Sequence, residues 1–517
     1  MVKQSRTQNS IRNVSYGLII TLLNTLVSFV ARTYLVKLLG AEVLGINGLF
    51  TEIISVMSLA ELGVGMAIIY SLYKPIQQDD FKKISQLMSL YKWAYNIIAG
   101  VTFALGIALI PFIDKFITDI YYSINYIRIV FFLFVVKTAS TYLFSYKASL
   151  LNADQKQYIV SLATVVFKVI FTVISIALIS LYQNYIIYLI VLIIQSITTN
   201  IYLAYYVDRH YKYVNYNEKM CIEDRKKVFE NIKNIFVKRI SGVITSSTDN
   251  ILISALVSTV QVGYYSNYMM IFSVVRTLKQ QFTNGIAASI GNLSVTETPK
   301  KCVQVLCRLT YMYYVFACIM ASGLLAVSKN FITIWLGEEY VMKDIIVIVA
   351  ILNLYIEICC DPLWQYLEVS GLFKQDKNIG IIGSSINLIV SVILGLKIGI
   401  VGIFIGTVCT QVIQLILKIQ LIFKNKFRLS AKNYYIMCGK MALGYIVICI
   451  FENVIIEKIH LPNIYIEFLV RGSLAAVFGI LCSMSFFFKS EEYVYTVQFC
   501  IQMVKKIIAR LTIKSQD

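Results

Sequence analysis

Long apolar segments recur along the whole chain and are separated by short polar connections. A helix needs about 20 predominantly apolar residues to cross the hydrocarbon core of a bilayer. By that rule the pattern predicts an all-α polytopic membrane protein with about 14 spanning helices. Before the polar connection that begins at Asp208, the predicted spans are 14–39, 43–70, 93–113, 124–150, 158–181 and 185–207. After it they are 235–257, 262–290, 309–327, 345–369, 379–396, 400–423, 434–451 and 464–488.

The polar connection divides the chain into two halves of similar pattern. Two amphipathic stretches accompany them. In the connection, Val228, Phe229 and Ile232 recur at helical spacing, which predicts an interfacial helix, although a linker without lipid contact fits equally well. At the carboxyl end, an apolar stripe with Lys505 and Arg510 off it predicts a helix on the inner leaflet, or one packed on the protein's own cytoplasmic face. The predicted parts are an N-lobe at 1–207, a cytoplasmic connection at 208–234, a C-lobe at 235–424, accessory helices 13 and 14 at 425–489, and a cytoplasmic amphipathic tail at 490–517.

A weak internal repeat supports the two halves. When residues 11–48 are laid on residues 229–266, LLGAEVLGIN meets LVSTVQVGYY and Gly45 falls on Gly263. The position of the match predicts two parallel lobes related by an axis along the membrane normal. Farther along, GLKIGIVGIFIG at 395–406 has small residues at four-residue spacing on both sides of a short turn, which predicts close packing of spans 11 and 12.

Composition excludes a soluble protein, because 58% of the residues are hydrophobic, 15% are charged and the mean hydropathy is +0.72. The net charge of +19 does not predict nucleic-acid binding, since the basic residues are scattered over short loops and fit loops that face anionic lipids. Their distribution predicts cytoplasmic termini.

The first apolar segment is as long as a spanning helix, so we expect it to stay in the mature protein. The 11 cysteines show no metal-ligand spacing and predict reduced core residues.

Charged residues inside the predicted spans are the candidates for function. Arg32, Lys37, Glu52 and Glu61 interrupt the first two apolar segments, and a charge near the bilayer centre costs from about 2.5 to more than 10 kcal/mol unless it faces water or a partner. These residues therefore predict the wall of a polar pathway. No catalytic motif accompanies them, so we expect a protein that is not an enzyme and has no cofactor or metal.

The amino-acid sequences of two segments resemble those of one protein family. LGAEVLGINGLF followed by SLAELGVGMAIIYSLYKPI is similar to the first two helices of bacterial polysaccharide repeat-unit flippases, the O-antigen and capsule exporters of the MATE-like flippase (MOP/MVF) superfamily. TDNILISALVSTVQVGYYSNYMMI, at 248–271, resembles the start of their second half. The resemblance implies two six-helix lobes in a V around a central cavity, plus two C-terminal helices. It also implies alternating-access transport of undecaprenyl-pyrophosphate-linked oligosaccharides across the bacterial cytoplasmic membrane, beside polysaccharide assembly enzymes.

The candidate site residues combine these two arguments. Arginine suits a pyrophosphate because its planar fork donates paired hydrogen bonds and keeps its charge. A MATE-type cation antiporter stays an alternative, but it would need an acidic cavity, and basic residues outnumber acidic ones inside the spans. A membrane polysaccharide polymerase is the other alternative, but the predicted external loops of this chain are too short to bind an acceptor. A coupling ion, Na⁺ or H⁺, is possible at a carboxylate beside a bent or broken helix. The predicted substrate-binding residues are Arg32, Arg276, Lys279, Lys37 and Glu61, and the predicted ion or gating residues are Asp249, Asp361 and Pro362.

Overall fold

The computed structural model describes residues 6–58, 61–226, 228–229, 248–370 and 372–514. The regular elements of these ranges are helical, and the ranges contain no β-strand. The helices that begin before Asp208 are α1 (Arg6–Met57), α2 (Glu61–Gln77), α3 (Phe81–Leu109), α4 (Ile124–Tyr142), α5 (Ser145–Ala153), α6 (Gln157–Tyr182) and α7 (Tyr185–His210). Those that follow are α8 (Thr259–Thr296), α9 (Pro299–Trp335), α10 (Asp344–Val369), α11 (Phe373–Ile398), α12 (Ile400–Ile422), α13 (Lys432–Phe451), α14 (Ile464–Ser485) and α15 (Glu491–Lys514).

Eleven of the described helices are long and apolar enough to cross a membrane, which confirms the predicted multi-pass helical class. The predicted spans 43–70, 235–257 and 262–290 are not among them. The first of these was predicted wrongly as one segment: α1 ends at Met57 and α2 begins at Glu61, whose carboxylate is favourable at a helix N-terminus. Residues 235–247 lie outside the described ranges. Residues 262–290 form a continuous part of α8, in which polar and charged side chains dilute the apolar ones.

Contacts within the chain divide it into two compact units, Met1–Ser266 and Asn267–Asp517. The boundary falls inside α8, so the first turns of this helix belong to the first unit. The lobes predicted from the sequence, 1–207 and 235–424, divide the chain differently and stay a prediction.

In the first unit, α1 is interrupted at Gly40, whose φ of 80° favours glycine because other residues meet a steric penalty there. The residues after this break touch the start of α8 through their backbones. A Cβ on Gly45 would lie 2.0 Å from the carbonyl oxygen of Thr259, and one on Gly263 would lie 2.6 Å from that of Ala41. The two glycines that the internal repeat aligns are therefore close to each other in the fold.

The predicted connection packs on the first unit instead of running free. Asp208 accepts a bond of 2.5 Å from Lys147 of α5, and the hydroxyl of Tyr211 donates to Asp154 at 2.6 Å. Residues 222–226 and 228–229 are helical, and the guanidinium of Arg225 lies 4.8 Å from the ring centroid of Trp93. Ile232, which belongs to the predicted interfacial stripe, lies outside the described residues.

The second unit contains two close helix pairs. The helices α11 and α12 form a hairpin about Gly399, where a Cβ on Gly402 would lie 2.2 Å from the carbonyl oxygen of Leu394. This contact confirms the predicted packing of spans 11 and 12. The helix α9 packs along α14, where the hydroxyl of Ser322 donates to the carbonyl oxygen of Ala475 at 2.9 Å.

The tail forms the predicted helix, α15, and its first turns pack on α9. Arg308 donates to Glu491 at 2.5 Å, and its guanidinium lies 4.4 Å from the ring centroid of Tyr495. The hydrogen bond from Arg308 lowers the pKa of Glu491. The start of the tail therefore packs on the protein, which is one of its two predicted roles. Contact of its later turns with lipid, the other role, stays a prediction.

Candidate substrate site

Four charged side chains of the second unit form one ion-pair network. Nε of Arg276 lies 2.8 Å from Oε2 of Glu357. Nζ of Lys279 lies 2.9 Å from Oε1 of the same carboxylate and 3.2 Å from Oδ1 of Asp361. Two positive and two negative charges therefore balance one another, as a low-dielectric environment requires.

The network follows from residue spacing on two helices. Arg276 and Lys279 are three residues apart on α8, and Glu357 and Asp361 are four apart on α10, so each pair occupies one helix face. Thr283, one turn beyond Lys279, donates to Oδ2 of Asp361 at 2.7 Å. Both oxygens of Asp361 are thus engaged within the protein, and a cation at this carboxylate would have to compete with Lys279.

The predicted bend or break at Pro362 is not seen as an interruption of the helix. The helix α10 runs from Asp344 to Val369 with Pro362 inside it. A proline removes one backbone donor, but packing by neighbouring helices can accommodate that loss in a spanning helix. The side chain of Leu363, the next residue, is fully buried. This arrangement is compatible with a packing role for Pro362, and its role in gating stays a prediction.

Arg32 belongs to the first unit, where it is half-buried in α1. Its guanidinium donates to the hydroxyl of Ser266 and lies beside Tyr185 and Tyr188 of α7. The hydroxyl of Tyr185 in turn donates to Oδ1 of Asn47 at 3.1 Å, which links α7 to the part of α1 after its break. Hydroxyl groups and aromatic rings therefore surround this arginine.

The remaining predicted site residues are spread over the first unit. Lys37 is exposed on α1 before the break. Glu61 lies in the first turn of α2, and its carboxylate interacts with the hydroxyl of Tyr142. Asp249 is half-buried in a helical stretch at 248–256. Its neighbour Asn250 donates to Oε1 of Glu52 at 3.3 Å.

The structure thus brings together Arg276, Lys279 and Asp361 among the predicted site residues. Arg32 lies in the other unit, so its joint action with Arg276 stays a prediction. The candidate list lacked Glu357, which holds both basic residues of the network. Glu357 lies four residues before Asp361 and therefore on the same helix face. Two acidic residues on one face of α10 and two basic residues on one face of α8 indicate that the two faces pair, and this signal could have identified Glu357.

Two lysines in predicted spans of the first unit belong to the charged residues that the sequence marks as candidates for function, but the list of predicted site residues lacked them. Nζ of Lys137, in α4, lies 5.7 Å from the ring centroid of Phe134. Nζ of Lys168, in α6, donates to Oδ1 of Asn24 at 2.6 Å and to Oγ of Ser28 at 2.5 Å. Among the residues that the structure describes, neither lysine forms an ion pair with a carboxylate. The signal that could have found them was the absence of an acidic residue at helical spacing on the same span.

Comparisons with known proteins agree with this fold. A family model described as "Polysaccharide biosynthesis protein" matches residues 10–288, more than half of the 517-residue chain. No curated protein sequence matches the chain.

Solved structures share the fold at low sequence identity. The lipid II flippase MurJ, in an inward closed conformation, is 15% identical with a TM-score of 0.67, and the match covers 92% of this chain and 99% of that one. An inward-facing multidrug resistance MATE family transporter of the MOP superfamily is 14% identical with a TM-score of 0.60, covering 77% and 92%. The Vibrio cholerae MATE transporter VcmN in its bent form is 13% identical with a TM-score of 0.52, covering 82% and 98%.

The family match and the shared fold together confirm the resemblance seen in the sequence. The chain belongs to the polysaccharide biosynthesis protein family, and it shares the fold of the lipid II flippase MurJ and of MATE transporters.

Proposed function

We propose that this protein moves undecaprenyl-pyrophosphate-linked oligosaccharide repeat units from the inner to the outer leaflet of the bacterial cytoplasmic membrane. Family membership and the flippase fold support a transport role in polysaccharide biosynthesis. The negative pyrophosphate and the polar saccharide both need a protein-lined path through the bilayer, because charge in hydrocarbon is costly.

The observation that carries the proposal is a contrast between the basic residues of α8 in the second unit and the lysines of the spanning helices α4 and α6 in the first unit. In the second unit, carboxylates neutralise Arg276 and Lys279. In the first unit, the neutral atoms of Asn24 and Ser28 hold Lys168, and Lys137 has no carboxylate partner among the described residues. Charged lysines in spanning helices need a counter-charge or water. An anionic head group supplies the first, whereas an organic cation, the substrate of the alternative antiporter, supplies neither.

The ion-pair network gives a mechanism for gating in this proposal. A pyrophosphate that reaches Arg276 or Lys279 competes with Glu357 and Asp361 for the same donors. A coupling ion, Na⁺ or H⁺, would bind the carboxylate of Asp361 or, in the first unit, that of Asp249. The ion pair that the pyrophosphate forms with Arg276 or Lys279 replaces an ion pair within the protein. Because one pair is lost when the other forms, head-group binding stays weak enough for release on the far side of the membrane.

Topology and partners complete the proposal. The termini and the connection at 208–234 face the cytoplasm, in keeping with the basic loops. Anionic lipids contact those loops, and polysaccharide assembly enzymes supply the substrate inside and consume it outside.

A deletion strain tests the substrate directly. Cells that lack the protein should accumulate lipid-linked repeat units on the inner leaflet, and the native gene should restore export. Lys137→Ala should fail to restore it while reaching the membrane at the native level. Lys115→Ala, which removes an exposed lysine, is the matched control and should restore export fully. Absence of accumulated lipid-linked repeat units in the deletion strain would reject the proposed substrate.

A further inference from the structure

An apolar groove of about 440 Å³ lies within the second unit, between α13 on one side and α10 and α12 on the other. Among the described helices of this unit, α13 packs closely on α9 and α14 and stands off from α10 and α12. The rim of the groove includes Val412, Ile416 and Ile446, each at least 40% exposed. Because these residues belong to spanning helices, the groove opens sideways to lipid.

Tyrosine side chains bridge the groove. The hydroxyl of Tyr355, on α10, donates to the carbonyl oxygen of Met441 at 2.7 Å. The hydroxyl of Tyr445, on α13, donates to the carbonyl oxygen of Ile348 at 2.6 Å. The hydroxyls of the other two lining tyrosines bond to α12 at 3.2 Å and to α9 at 3.1 Å. With these hydroxyls engaged, the lining offers a ligand hydrocarbon surface and cysteine thiols, which are weak hydrogen-bonding groups.

A hydrocarbon chain is the ligand that this lining fits. Protein interiors are close-packed, and an empty groove of this size would lose the dispersion contacts of its walls. At about 1.5 Å per residue, the wall from Val408 to Ile419 is about 17 Å long. The hydrocarbon of one leaflet is about 15 Å thick, half of the bilayer core. The groove therefore matches one acyl chain that lies parallel to the helices within one leaflet.

Positive charge dominates one end of the groove. Four basic residues, which we call the basic turn, follow the end of α12 and begin α13: Lys424, Lys426, Arg428 and Lys432. No acidic residue occurs between Asp376 and Glu452, and the carboxylate of Asp376 lies 3.1 Å from Nζ of Lys418. Because the basic turn lies where two spanning helices end, it is at the height of the lipid head groups, where basic residues attract anionic lipids.

The groove and the Arg276 network lie on opposite sides of α10. Side chains of an α-helix turn by about 100° per residue, so Leu352, Ile356 and Cys359 share the face toward the groove. Glu357 and Asp361 project from the other face, toward α8. A transported lipid whose pyrophosphate met the network would therefore have α10 between its head group and this groove. The occupant is thus a lipid of the surrounding bilayer.

We infer that the groove binds one anionic phospholipid, with an acyl chain between α10, α12 and α13 and the phosphate at the basic turn. The bound lipid completes the packing of α13, which the side chains of the protein leave open. The inference does not depend on the proposed transport substrate, because binding of a bilayer phospholipid requires no transport.

Native mass spectrometry of the full chain, released from detergent micelles, tests the inference with phosphatidylglycerol, phosphatidylcholine and undecaprenyl phosphate as probes. The first phosphatidylglycerol should bind at least about tenfold more tightly than phosphatidylcholine, whose head group has no net charge. Equal binding of the two phospholipids would overturn the inference. Tighter binding of undecaprenyl phosphate in the groove would assign it to the lipid carrier instead, and a lipid-free dimer would assign it to a second copy of the chain.

One variant tests the basic turn. Lys424→Gln/Arg428→Gln/Lys432→Gln removes three exposed charges and should weaken binding of the first phosphatidylglycerol by about tenfold or more, with phosphatidylcholine binding unchanged. The matched control removes three exposed lysines of the first unit and should bind like the native protein: Lys82→Gln/Lys212→Gln/Lys219→Gln. Native affinity of the basic-turn variant for phosphatidylglycerol would overturn the inference.

A second variant tests the groove. Ala442→Trp adds a large side chain to the lining and should weaken binding of both phospholipids by about tenfold. Leu443→Trp is the matched control, because Leu443 is exposed on the same helix outside the lining, and it should leave binding unchanged. Native binding by a folded Ala442→Trp would place the acyl chain elsewhere and overturn the inference. If Ala442→Trp does not fold, the basic-turn variant decides, since its three substitutions are exposed.

Discussion

Nε of Arg276 lies 2.8 Å from Oε2 of Glu357, so the arginine predicted to meet the substrate already holds a carboxylate. An anionic head group must therefore replace one ion pair by another. We expect Arg276→Ala to weaken head-group binding by about ten- to a hundredfold, which corresponds to one charge-assisted bond. Arg276→Lys should fall between the native protein and the alanine variant, because lysine lacks the planar fork. Binding of a pyrophosphate-linked lipid to the purified protein measures both.

The same experiment applies to Arg32 in the first unit. If both arginines bind one pyrophosphate, Arg32→Ala should lower the affinity by a similar factor. The double variant should then fail to restore polysaccharide export although it reaches the membrane. Full complementation by Arg32→Ala/Arg276→Ala would refute joint binding.

Lys279 and Asp361 should be strongly coupled in stability. Both side chains are largely buried, at 9% and 14% exposure, so removing one leaves an uncompensated charge. We expect Lys279→Ala to destabilise the protein by about 3 to 5 kcal/mol and Lys279→Ala/Asp361→Asn to destabilise it less. Thermal unfolding in detergent gives the comparison. The more exposed pair of Lys156 and Asp154 serves as the control, with an expected coupling of at most about 1 kcal/mol.

The glycine contact in the first unit should not tolerate a side chain. In Gly45→Ala the new methyl group would meet the carbonyl oxygen of Thr259 at 2.0 Å, and a backbone atom cannot rotate away. We expect a large loss of folded protein, measured by size-exclusion chromatography, and the same for Gly263→Ala. Gly439→Ala adds a methyl group where no atom lies within 4 Å and should be neutral or slightly stabilising. Normal yield of Gly45→Ala would mean that the two helices can separate at little cost.

Cysteine labelling checks the membrane topology. A cysteine at Asn217, in the predicted cytoplasmic connection, should resist an impermeant reagent added to intact cells. A cysteine at Tyr121, a 96% exposed residue in a predicted external loop, should react under the same conditions. The exposed native thiols of Cys221 and Cys500 are replaced by serine first. Reaction at position 217 in intact cells would reverse the predicted orientation.

Attachment of the tail should depend on pH. Because Arg308 lowers the pKa of Glu491, the ionised carboxylate stabilises the docked tail above the usual carboxyl pKa. That contribution is lost as the pH falls below about 4, through the lowered pKa. A nitroxide label at Gln498 should therefore become more mobile at acidic pH. Arg308→Gln should raise its mobility at neutral pH and flatten the pH response, whereas an unchanged response would assign the docking to other contacts.

The sequence predicted the local elements well and the long-range contacts poorly. Apolar run length placed most of the helices, because it reports directly on the cost of exposing polar backbone to lipid. It did not predict that α1 ends at Met57 and that α2 begins at Glu61, because the apolar run continues across both ends.

The site shows the same difference. Spacing put Arg276 and Lys279 on one face of α8, but their partner Glu357 depends on the packing of α8 beside α10. A cavity of about 590 Å³ within the second unit was not predicted either, because its lining runs from Tyr268 to Arg471 and no local pattern joins those segments.

The contact of Gly45 with the start of α8 is reciprocal. Gly45 meets the residue four positions before Gly263, and Gly263 meets the residue four positions before Gly45. Identical subunits show this exchange of contacts at the twofold axis of a homodimer. The contact is thus what duplication and fusion of a half-length gene would leave behind. An ancestor of that kind needed only one glycine to make both halves of the contact, whereas the present chain must retain two, at positions that mutate independently.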